Sequence, residues 1–453
     1  MRNIAVLIVA FFIAGCSFRP DMPNVDTNFT SQYQSANIND NWWQEFKDEK
    51  LNMLVDEALK NNIDLKIAYI NLEQASLALQ NAKADFLPTI DATGDAKKAA
   101  SIGDKNPNNS FSLNAVLNYE VDLWGRVRNS VASNKALLNA SKFDYETSRL
   151  AIASSVAKSY FTLVSLKMQE SIYLDTLKSY IDTMEYRKRQ FEAGSITNMV
   201  YLQSVAQVQS AQINLQETRS SISSASNALA ILCNKSNDEI LHSIVTTEQT
   251  LPTAPQIDAK ISSDVLLRRP DVASAYENLK SSNALVGVAR AAYFPTLSLT
   301  GLFGFSSNEL DRLVTPTTSL WSLGGSLTQN LFNYNKTSNN VDIAKLTQDT
   351  KALNYEKAVK TALGETKVAL DTRKNAVEIL QYSNELLKSQ TQIYDLADAQ
   401  YNAGYVDHIT LLDAQRTLLS TKLGNVNAKL NLNNAVVDVY KAFGGGFKVQ
   451  PTE

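Results

Sequence analysis

Few residues in this chain of 453 residues have the types and spacing that catalysis or metal binding requires. The two histidines, His242 and His408, lie far apart in the sequence, and the five methionines after Met1 are scattered. No HExxH, CxxC or GxSxG motif is present, and no glycine-rich phosphate loop follows a strand. Gly444-Gly445-Gly446 is predicted to end a helix. We therefore predict a protein that is not an enzyme and that uses no cofactor or metal.

The N-terminus points to covalent chemistry at one cysteine. An apolar run over residues 4–13 follows a basic residue and is too short to span a bilayer as a mature helix. It ends in Ile13-Ala14-Gly15-Cys16, which resembles a bacterial lipobox, where the signal is cut before a cysteine whose thiol is acylated. We predict a signal peptide over residues 1–15 and lipidation at Cys16, with a plain secretory peptide as the alternative. Cys233 is then left without an intrachain disulfide partner.

Charge and hydropathy exclude two further classes. The net charge is only −3, so nothing suggests a nucleic acid partner. No apolar run in the mature chain approaches the 20 or so residues that a transmembrane helix needs.

Long helices dominate the predicted structure. Residues 126–233 contain no proline and a single glycine, Gly194. They are predicted to form an antiparallel hairpin, with a long arm over 126–191 and a return arm over 196–232. Apolar residues recur every seven positions in the return arm, which calls for partner helices along its length. These residues are Val208, Leu215, Ile222 and Leu229. An ordinary helical bundle or a filament-type coiled coil would show the same pattern.

The chain contains an internal repeat. Residues 59–94 and 266–301 are identical at 12 of 36 positions when shifted by 207 residues. A shift of 210 aligns Gln190, Ala193 and Gly194 with Gln400, Ala403 and Gly404. The chain is therefore interpreted as two tandem copies of one unit of about 200 residues.

Each copy carries one pair of strand-like segments between its helices. Apolar residues alternate with polar residues from Phe111 to Leu123, and segment 88–96 is the weaker partner strand. The second copy repeats the pattern over 296–305 and 321–331. A soluble sheet would alternate in the same way, but each hairpin is predicted to stand alone, with no helix left to cover it. Such strands suit the wall of an outer-membrane barrel.

Four strands cannot close a barrel, because about eight are needed. The chain is therefore expected to oligomerise. A dimer would supply 8 strands and a trimer 12, and the residues alone leave both possibilities open.

Motifs along the whole mature chain resemble the TolC-like outer-membrane factors, and specifically the NodT-type lipoproteins that serve RND multidrug efflux pumps. The Campylobacter-type efflux channel lipoproteins are especially similar. The resemblance rests on Ile13-Ala14-Gly15-Cys16, Asn41-Trp42-Trp43, Tyr119-Glu120-Val121-Asp122-Leu123-Trp124-Gly125, Leu267-Arg268-Arg269-Pro270-Asp271-Val272, Phe294-Pro295-Thr296-Leu297, Leu411-Leu412-Asp413-Ala414-Gln415-Arg416 and Ala442-Phe443-Gly444-Gly445-Gly446.

The resemblance implies a homotrimer with a 12-stranded β-barrel in the bacterial outer membrane, continuous with a periplasmic α-helical barrel. It implies a passive, lipid-anchored duct that carries drugs or other small toxic compounds, with an inner-membrane RND transporter and a periplasmic adaptor as partners. Two other classes remain open. One is a type I protein-secretion duct with the same fold, and the other is a lipid-anchored coiled-coil surface protein.

The domain boundaries follow from these patterns, and the equatorial placement of two of the segments is what the resemblance implies. The predicted segments are a signal peptide (1–15), a lipid anchor, tether and equatorial segment (16–50), repeat one (51–232), an equatorial linker (233–262), repeat two (263–443) and a tail (444–453). Repeat one is divided into a helix (51–85), strands (86–124) and a helical hairpin (126–232). Repeat two is divided into a helix (263–292), strands (294–333) and a helical hairpin (336–443). The Trp42-Trp43 pair precedes an amphipathic helix and is predicted to pack in a core.

The two helical hairpin tips are predicted to meet the adaptor, because they point away from the membrane. Glycine at each tip permits the reversal of the chain. The tip residues are Ala193, Gly194 and Ser195 in copy one, and Ala403, Gly404 and Tyr405 in copy two. The alternative is that these residues only form turns.

Three residues near the second tip are candidates for a periplasmic gate. Asp413 and Arg416 are spaced i, i+3 on one helix face, and Tyr401 lies across the turn. The resemblance implies that these positions form the constriction of the channel. Asp407 lies nearer the tip in the sequence and could substitute for Asp413. The alternative is a solvated surface pair worth less than about 1 kcal/mol.

Overall fold

The computed structural model describes residues 18–23, 39–100, 108–244, 250–257 and 269–447. None of the helices in these ranges is long and apolar enough to cross a lipid bilayer. The helices and strands, in chain order, are α1 (Glu49–Asn61), α2 (Ile63–Ala84), β1 (Thr89–Ala99), β2 (Asn108–Val121), α3 (Arg126–Glu192), α4 (Asn198–Cys233), α5 (Asn237–Ile244), α6 (Pro270–Ala291), β3 (Thr296–Ser307), β4 (Ser319–Thr328), α7 (Lys336–Asn402) and α8 (His408–Ala442).

The chain divides into two compact units. The first unit is built from the described residues within 1–27, 70–143 and 273–358 and contains all four of these strands. The second unit is built from the described residues within 28–69, 144–272 and 359–453 and contains both helical hairpin tips.

The first unit contains one antiparallel sheet with the strand order β1-β2-β3-β4. The prediction that each β-hairpin stands alone was wrong. β2 and β3 pair along their length, with Asn118 opposite Thr300, and so join the two hairpins. An isolated hairpin leaves two rows of backbone donors and acceptors unpaired, and this pairing removes one row from each hairpin.

The tandem repeat is visible in the strand register and in the helix bounds. Thr89 lies opposite Asn118 in the first hairpin, and Thr296 lies opposite Thr328 in the second. These pairs are related by the same shifts of 207 and 210 residues that align the sequence. Both α3 and α7 are 67 residues long. Each begins directly after a left-handed residue, Gly125 with φ 78° or Asn335 with φ 62°.

The helix predicted over residues 51–85 is two helices, α1 and α2, which are separated at Asn62. The side chain of Asn62 is buried. Its Oδ1 accepts a hydrogen bond from the backbone N–H of Leu65 at 3.1 Å, which caps α2. Its Nδ2 donates to the carbonyl of Leu232 at 2.9 Å. The break therefore fixes α1 against the end of α4, a contact that apolar periodicity does not reveal.

Two further boundaries differ from the predicted ones. α6 begins at Pro270, and residues 263–268 of the predicted helix lie outside the described residues. α5 lies inside the predicted linker. Its start is capped because the carboxylate of Glu239 accepts hydrogen bonds from the backbone N–H and hydroxyl of Ser236, at 2.9 and 3.0 Å.

The second unit has its main apolar core around the Trp42-Trp43 pair. Both indoles are buried, so the predicted core role is confirmed. The ring of Trp42 stacks on Tyr440 of α8 with centroids 5.2 Å apart. Asp48 accepts hydrogen bonds from the first backbone N–H groups of α1 and from the hydroxyl of Tyr160 on α3, at 2.7 Å. Burial and the hydrogen bond to Asp48 raise the pKa of Tyr160. The segment before α1 is thereby attached to both α3 and α8.

Close approach of β2 and β3 depends on one glycine. A Cβ atom at Gly304 would lie 2.4 Å from the carbonyl oxygen of Leu113 and 2.7 Å from Cα of Asn114, both backbone atoms. Gly364 on α7 is the contrasting case, because a Cβ atom there would meet no atom within 4 Å.

We predict that Gly304→Ala lowers the free energy of unfolding by about 1–3 kcal/mol, because the added methyl group forces β2 and β3 apart. Gly364→Ala is the matched control and should raise it by about 0.5–1 kcal/mol through helix propensity. Chemical denaturation in detergent measures both variants. Equal stability of the two variants would contradict the close packing of β2 on β3.

Candidate functional site

Both predicted hairpin tips are exposed turns of the same construction. Gly194 has φ 72° and Gly404 has φ 78°, the left-handed conformation that ends a helix. The backbone N–H of Ser195 donates to the carbonyl of Gln190 at 2.8 Å, and that of Tyr405 donates to Gln400 at 2.9 Å. Ala193 and Ala403 precede these glycines and are exposed. Tyr405 is 83% exposed, so the second tip presents an aromatic ring to its surroundings.

The three predicted gate residues lie at the base of the second tip. Asp413 and Arg416 are exposed on α8, and neither forms an ion pair with any residue in the described part of the chain. The charge of Arg416 instead acts on Tyr180 of α3. Burial raises the pKa of Tyr180, and the charge of Arg416 opposes that rise. Tyr401 packs against a different cation, Arg187, and the structure does not pair it with Asp413.

Arg187 is the centre of a side-chain cluster that links α3 to α7 and α8. Its side chain is only 3% exposed. Its guanidinium carbon lies 4.9 Å from the ring centroid of Tyr401. One terminal nitrogen donates to Oε1 of Gln190 at 2.7 Å, and the other lies 2.9 Å from Nδ1 of His408. The Arg187 cluster, defined as Arg187, Gln190, Tyr401 and His408, therefore fixes the start of α8 to the end of α3.

The contact between Arg187 and His408 requires a neutral imidazole. A guanidinium can only donate hydrogen bonds, so Nδ1 of His408 must accept and the ring proton resides on Nε2. That Nε2 atom is buried and has no hydrogen-bond partner among the described residues. Burial lowers the pKa of His408, the charge of Arg187 lowers it further, and Asp407 acts in the opposite direction.

Asp407 caps the start of α8. Its carboxylate accepts hydrogen bonds from the backbone N–H and the hydroxyl of Thr410, at 2.9 and 2.7 Å. The same bonds lower the pKa of Asp407. Asp407 therefore has a structural partner, which distinguishes it from Asp413, the residue it could replace in a gate.

An open cleft of about 470 Å³ adjoins the Arg187 cluster. Its wall includes the carboxylates of Asp175, Asp182 and Asp398 beside Arg187 and Tyr401. The described residues contain no group of side chains arranged to hold a metal ion. Cys233 is buried, and burial raises the pKa of its thiol to about 11, which disfavours the reactive thiolate. Cys16, the predicted lipidation site, lies outside the described residues.

Arg187 and His408 were not among the predicted site residues. One sequence signal could have identified Arg187, because the repeat aligns it with Ala397, which is a buried apolar position. A charge at such a position needs a partner. His408 aligns with Asn198 and shows no comparable signal.

Comparison with known proteins assigns this architecture to a class. The family described as "Outer membrane efflux protein" matches residues 54–235 and 261–445. The crystal structure of the Campylobacter jejuni CmeC outer membrane channel has a TM-score of 0.90 and 33% identity, and the match covers 96% of each chain. The open state of the Neisseria gonorrhoeae MtrE outer membrane channel has a TM-score of 0.84 and 27% identity over 97% of this chain and all of the other.

Curated relatives agree with this class. The chain is 28% identical to the probable efflux pump outer membrane protein TtgC of Pseudomonas putida, over 99% of this chain and 96% of the relative. It is 28% identical to the cation efflux system protein CusC of Escherichia coli K12, over 97% and 98%. The fold and these matches define an outer-membrane efflux channel, as the sequence motifs predicted. The chain belongs to the outer membrane efflux protein family.

The Arg187 cluster is expected to make the second hairpin tip sensitive to acid. Because the pKa of His408 is lower in the folded chain than in the unfolded chain, the unfolded chain binds more protons as the pH falls below about 6.5. The stability contributed by the neutral ring is therefore present at pH 7.5 and is lost on acidification. We predict that hydrogen exchange at the first turn of α8 speeds up between pH 7.5 and 5.5 beyond the intrinsic pH effect.

His408→Asn is the matched variant for this measurement. Its side-chain oxygen can accept from Arg187 and does not titrate, so the additional acceleration should disappear. Equal acceleration in the parent and in His408→Asn would contradict the role of His408.

Proposed function

We propose that three copies of this chain form a passive duct of a tripartite efflux pump. The duct receives drugs or other small toxic compounds from an inner-membrane RND transporter through a periplasmic adaptor and releases them outside the cell. The observation that carries this proposal is a four-stranded sheet with two open edges in a chain that also has two helices of 67 residues each. Such a chain has parts for both a membrane wall and a long extension, but neither part closes by itself.

The open sheet edges support assembly from several copies. β1 and β4 are exposed along their whole length. Large apolar side chains project from β4, with Trp321 73% exposed and Leu323 80% exposed, as suits a surface in contact with lipid. Backbone groups left unpaired in lipid cost several kcal/mol each, so a second copy is the partner that removes the cost. Three copies would supply 12 strands.

The internal repeat specifies how neighbouring copies would pair. Within one chain, Asn118 of β2 lies opposite Thr300 of β3. The repeat equivalent of Asn118 is Thr328 on β4, and that of Thr300 is Thr93 on β1. If neighbouring copies reproduce the internal junction, Thr328 of one copy lies opposite Thr93 of the next. The same use of the repeat places Tyr334 of one copy beside Leu87 of the next. Both side chains are mostly exposed in a single chain.

The cargo is proposed from the class and from two of its named members. TtgC is named for an efflux pump and CusC for a cation efflux system, so the names of these two relatives, each 28% identical, do not point to one common cargo. The described residues hold no metal-binding group. We therefore assign selection of the cargo to the transporter and adaptor, and only conduction to this chain.

Two attachments complete the proposal. Acylation at Cys16 would anchor the chain to outer-membrane lipid, and more than one acyl chain is needed for stable anchoring. The exposed tips, Ala193-Gly194-Ser195 and Ala403-Gly404-Tyr405, would dock on the adaptor. The exposed ring of Tyr405 supports this, because aromatic side chains are frequent anchors at protein interfaces.

The gate is proposed at Tyr401, Asp413 and Arg416, with Arg187 and His408 as its support within each chain. Asp413 and Arg416 have no ion-pair partner in their own described chain, so both charges are available to a neighbouring copy. Three Asp413 carboxylates around one axis repel each other unless each is paired, and Arg416 of the next copy can supply that charge. Tyr401 is held in place by Arg187.

Conductance across a planar bilayer tests the duct and its gate together. The parent channel should conduct weakly, because the ring of charge pairs holds the tip closed. We predict that replacing Asp413 and Arg416 with Ala raises single-channel conductance severalfold, and that Tyr401→Phe raises it less.

The matched control is the exposed pair Asp342 and Lys345, which lies at the opposite end of α7 from Tyr401. Replacing that pair with Ala should leave conductance unchanged. An increase limited to the Asp413 and Arg416 variant supports the gate. Conductance equal to the parent would place the closure elsewhere, and no channel activity in any variant would contradict the duct.

A further inference from the structure

Phe18, the first described residue after the predicted lipidation site, packs into an aromatic cluster of the first unit. Its ring stacks on Phe294 with centroids 4.4 Å apart and an interplanar angle of 16°. Its centroid lies 6.3 Å from that of Trp124. Trp124 itself stacks on Phe294 at 4.8 Å. The three rings meet where β2 ends and β3 begins.

Polar contacts hold the same segment from the side of α6. Nδ2 of Asn283 donates to the carbonyl of Pro20 at 3.1 Å. The guanidinium of Arg290 donates to the carbonyl of Phe18 at 3.4 Å. Two side chains of one helix therefore bind two backbone carbonyls of the N-terminal segment.

The orientation of Asn283 is set by another residue. Asn283 is only 1% exposed, and its Oδ1 accepts a hydrogen bond from Nε2 of Gln348 at 2.7 Å. With the oxygen occupied in this way, the amide nitrogen must point toward Pro20. If the segment left, a buried N–H donor would lose its partner, at a cost of about 1–3 kcal/mol. The side chain of Asn283 is thus held in the orientation that binds this segment.

The internal repeat supports a dedicated role for this site. The residues of the first copy that align with Asn283, Arg290 and Phe294 are Ser76, Lys83 and Leu87. None of them has the amide, guanidinium or ring that contacts the segment in the second copy. Each chain has one N-terminus, and only one of its two equivalent strand junctions has the residues that bind it.

We propose that residues 18–20 are a docked strap, which fixes the place where acyl chains on Cys16 enter the membrane. The strap site consists of Trp124, Asn283, Arg290 and Phe294. The role of the strap rests on the proposed lipidation of Cys16. The docking itself depends only on contacts of residues 18–20. The place it fixes is the rim of the sheet where β2 meets β3.

Docking of the strap shortens the flexible tether between the lipid anchor and the folded chain. Cys16 precedes Phe18 by two residues, so the acylated sulfur lies within about 10 Å of the docked backbone. Without docking, the 22 residues between Cys16 and Asn39 would form a flexible tether with an end-to-end distance of about 25 Å. A short tether keeps the lipid at one position beside the strands. It thereby raises the effective concentration of the strands at the membrane surface.

A nitroxide label on Asp21→Cys, an exposed position next to the strap, reports the docking in the full-length protein. The parent spectrum should be immobilised. We expect Phe18→Ala and Asn283→Asp to shift it to fast nanosecond motion, because the first removes the stacked ring and the second replaces the donor with an acceptor. Phe332→Ala removes an exposed aromatic ring near the end of β4 and should leave the spectrum unchanged.

A second arm separates the strap from lipidation. Cys16→Ser, exported behind a cleavable secretory signal, should keep the immobilised spectrum, because the strap contacts do not involve the lipid. Mass spectrometry of the N-terminal peptide reports acylation independently. An unchanged spectrum in Phe18→Ala would overturn the strap, as would mobilisation of the label in Cys16→Ser. Absence of acyl mass with an immobilised label would overturn the proposed anchor alone.

Discussion

Unpaired backbone groups along β1 and β4 are the constraint on which the rest of this structure depends. A four-stranded sheet has two edges, and a row of N–H and C=O groups on each edge needs partners. Joining the two hairpins through β2 and β3 reduces the number of open edges but cannot remove the last two. The folded chain is therefore incomplete as a membrane structure, and a second copy of the same chain is the simplest source of the missing partners.

Because of the tandem repeat, one geometry of the junction between β-hairpins can serve both within a chain and between chains. The differences between the two copies then mark the positions with separate tasks. Arg187 replaces the apolar residue found at Ala397, and the binding residues around Asn283 have no counterpart in the first copy. The first difference links the two helical hairpins near their tips, and the second holds the N-terminal strap. Shared positions carry the architecture, while these unshared positions make the contacts that we propose support the gate and the anchor.

Periodicity in the sequence predicted the features that depend on one element at a time. The 67-residue helices, the glycine turns at Gly194 and Gly404 and the alternating strands all follow from local patterns of burial and backbone conformation. The position of Trp42 in a core followed for the same reason. The sequence motifs were also sufficient to identify the family.

Contacts that join distant elements were not predictable in this way. The break at Asn62 depends on a hydrogen bond to Leu232, 170 residues away, and the pairing of β2 with β3 joins segments that are separated by a helical hairpin. The sequence pointed to Tyr401 as a candidate gate residue, a role that stays a prediction, and gave no sign of its contact with Arg187. Periodicity reports which face of an element is buried, whereas these contacts depend on which other element covers that face.

Disulfide formation between Thr93→Cys and Thr328→Cys, in a Cys233→Ser background, tests the central claim of repeat-related pairing between copies most directly. Within one chain, β1 and β4 are three strand spacings apart, about 14 Å, so an intrachain bond cannot form. The account predicts efficient cross-linking of the chains into a closed trimer, with weaker cross-linking when Asp91→Cys or Asp95→Cys replaces Thr93→Cys. A stronger cross-link at either displaced position, or none at any of them, would contradict it.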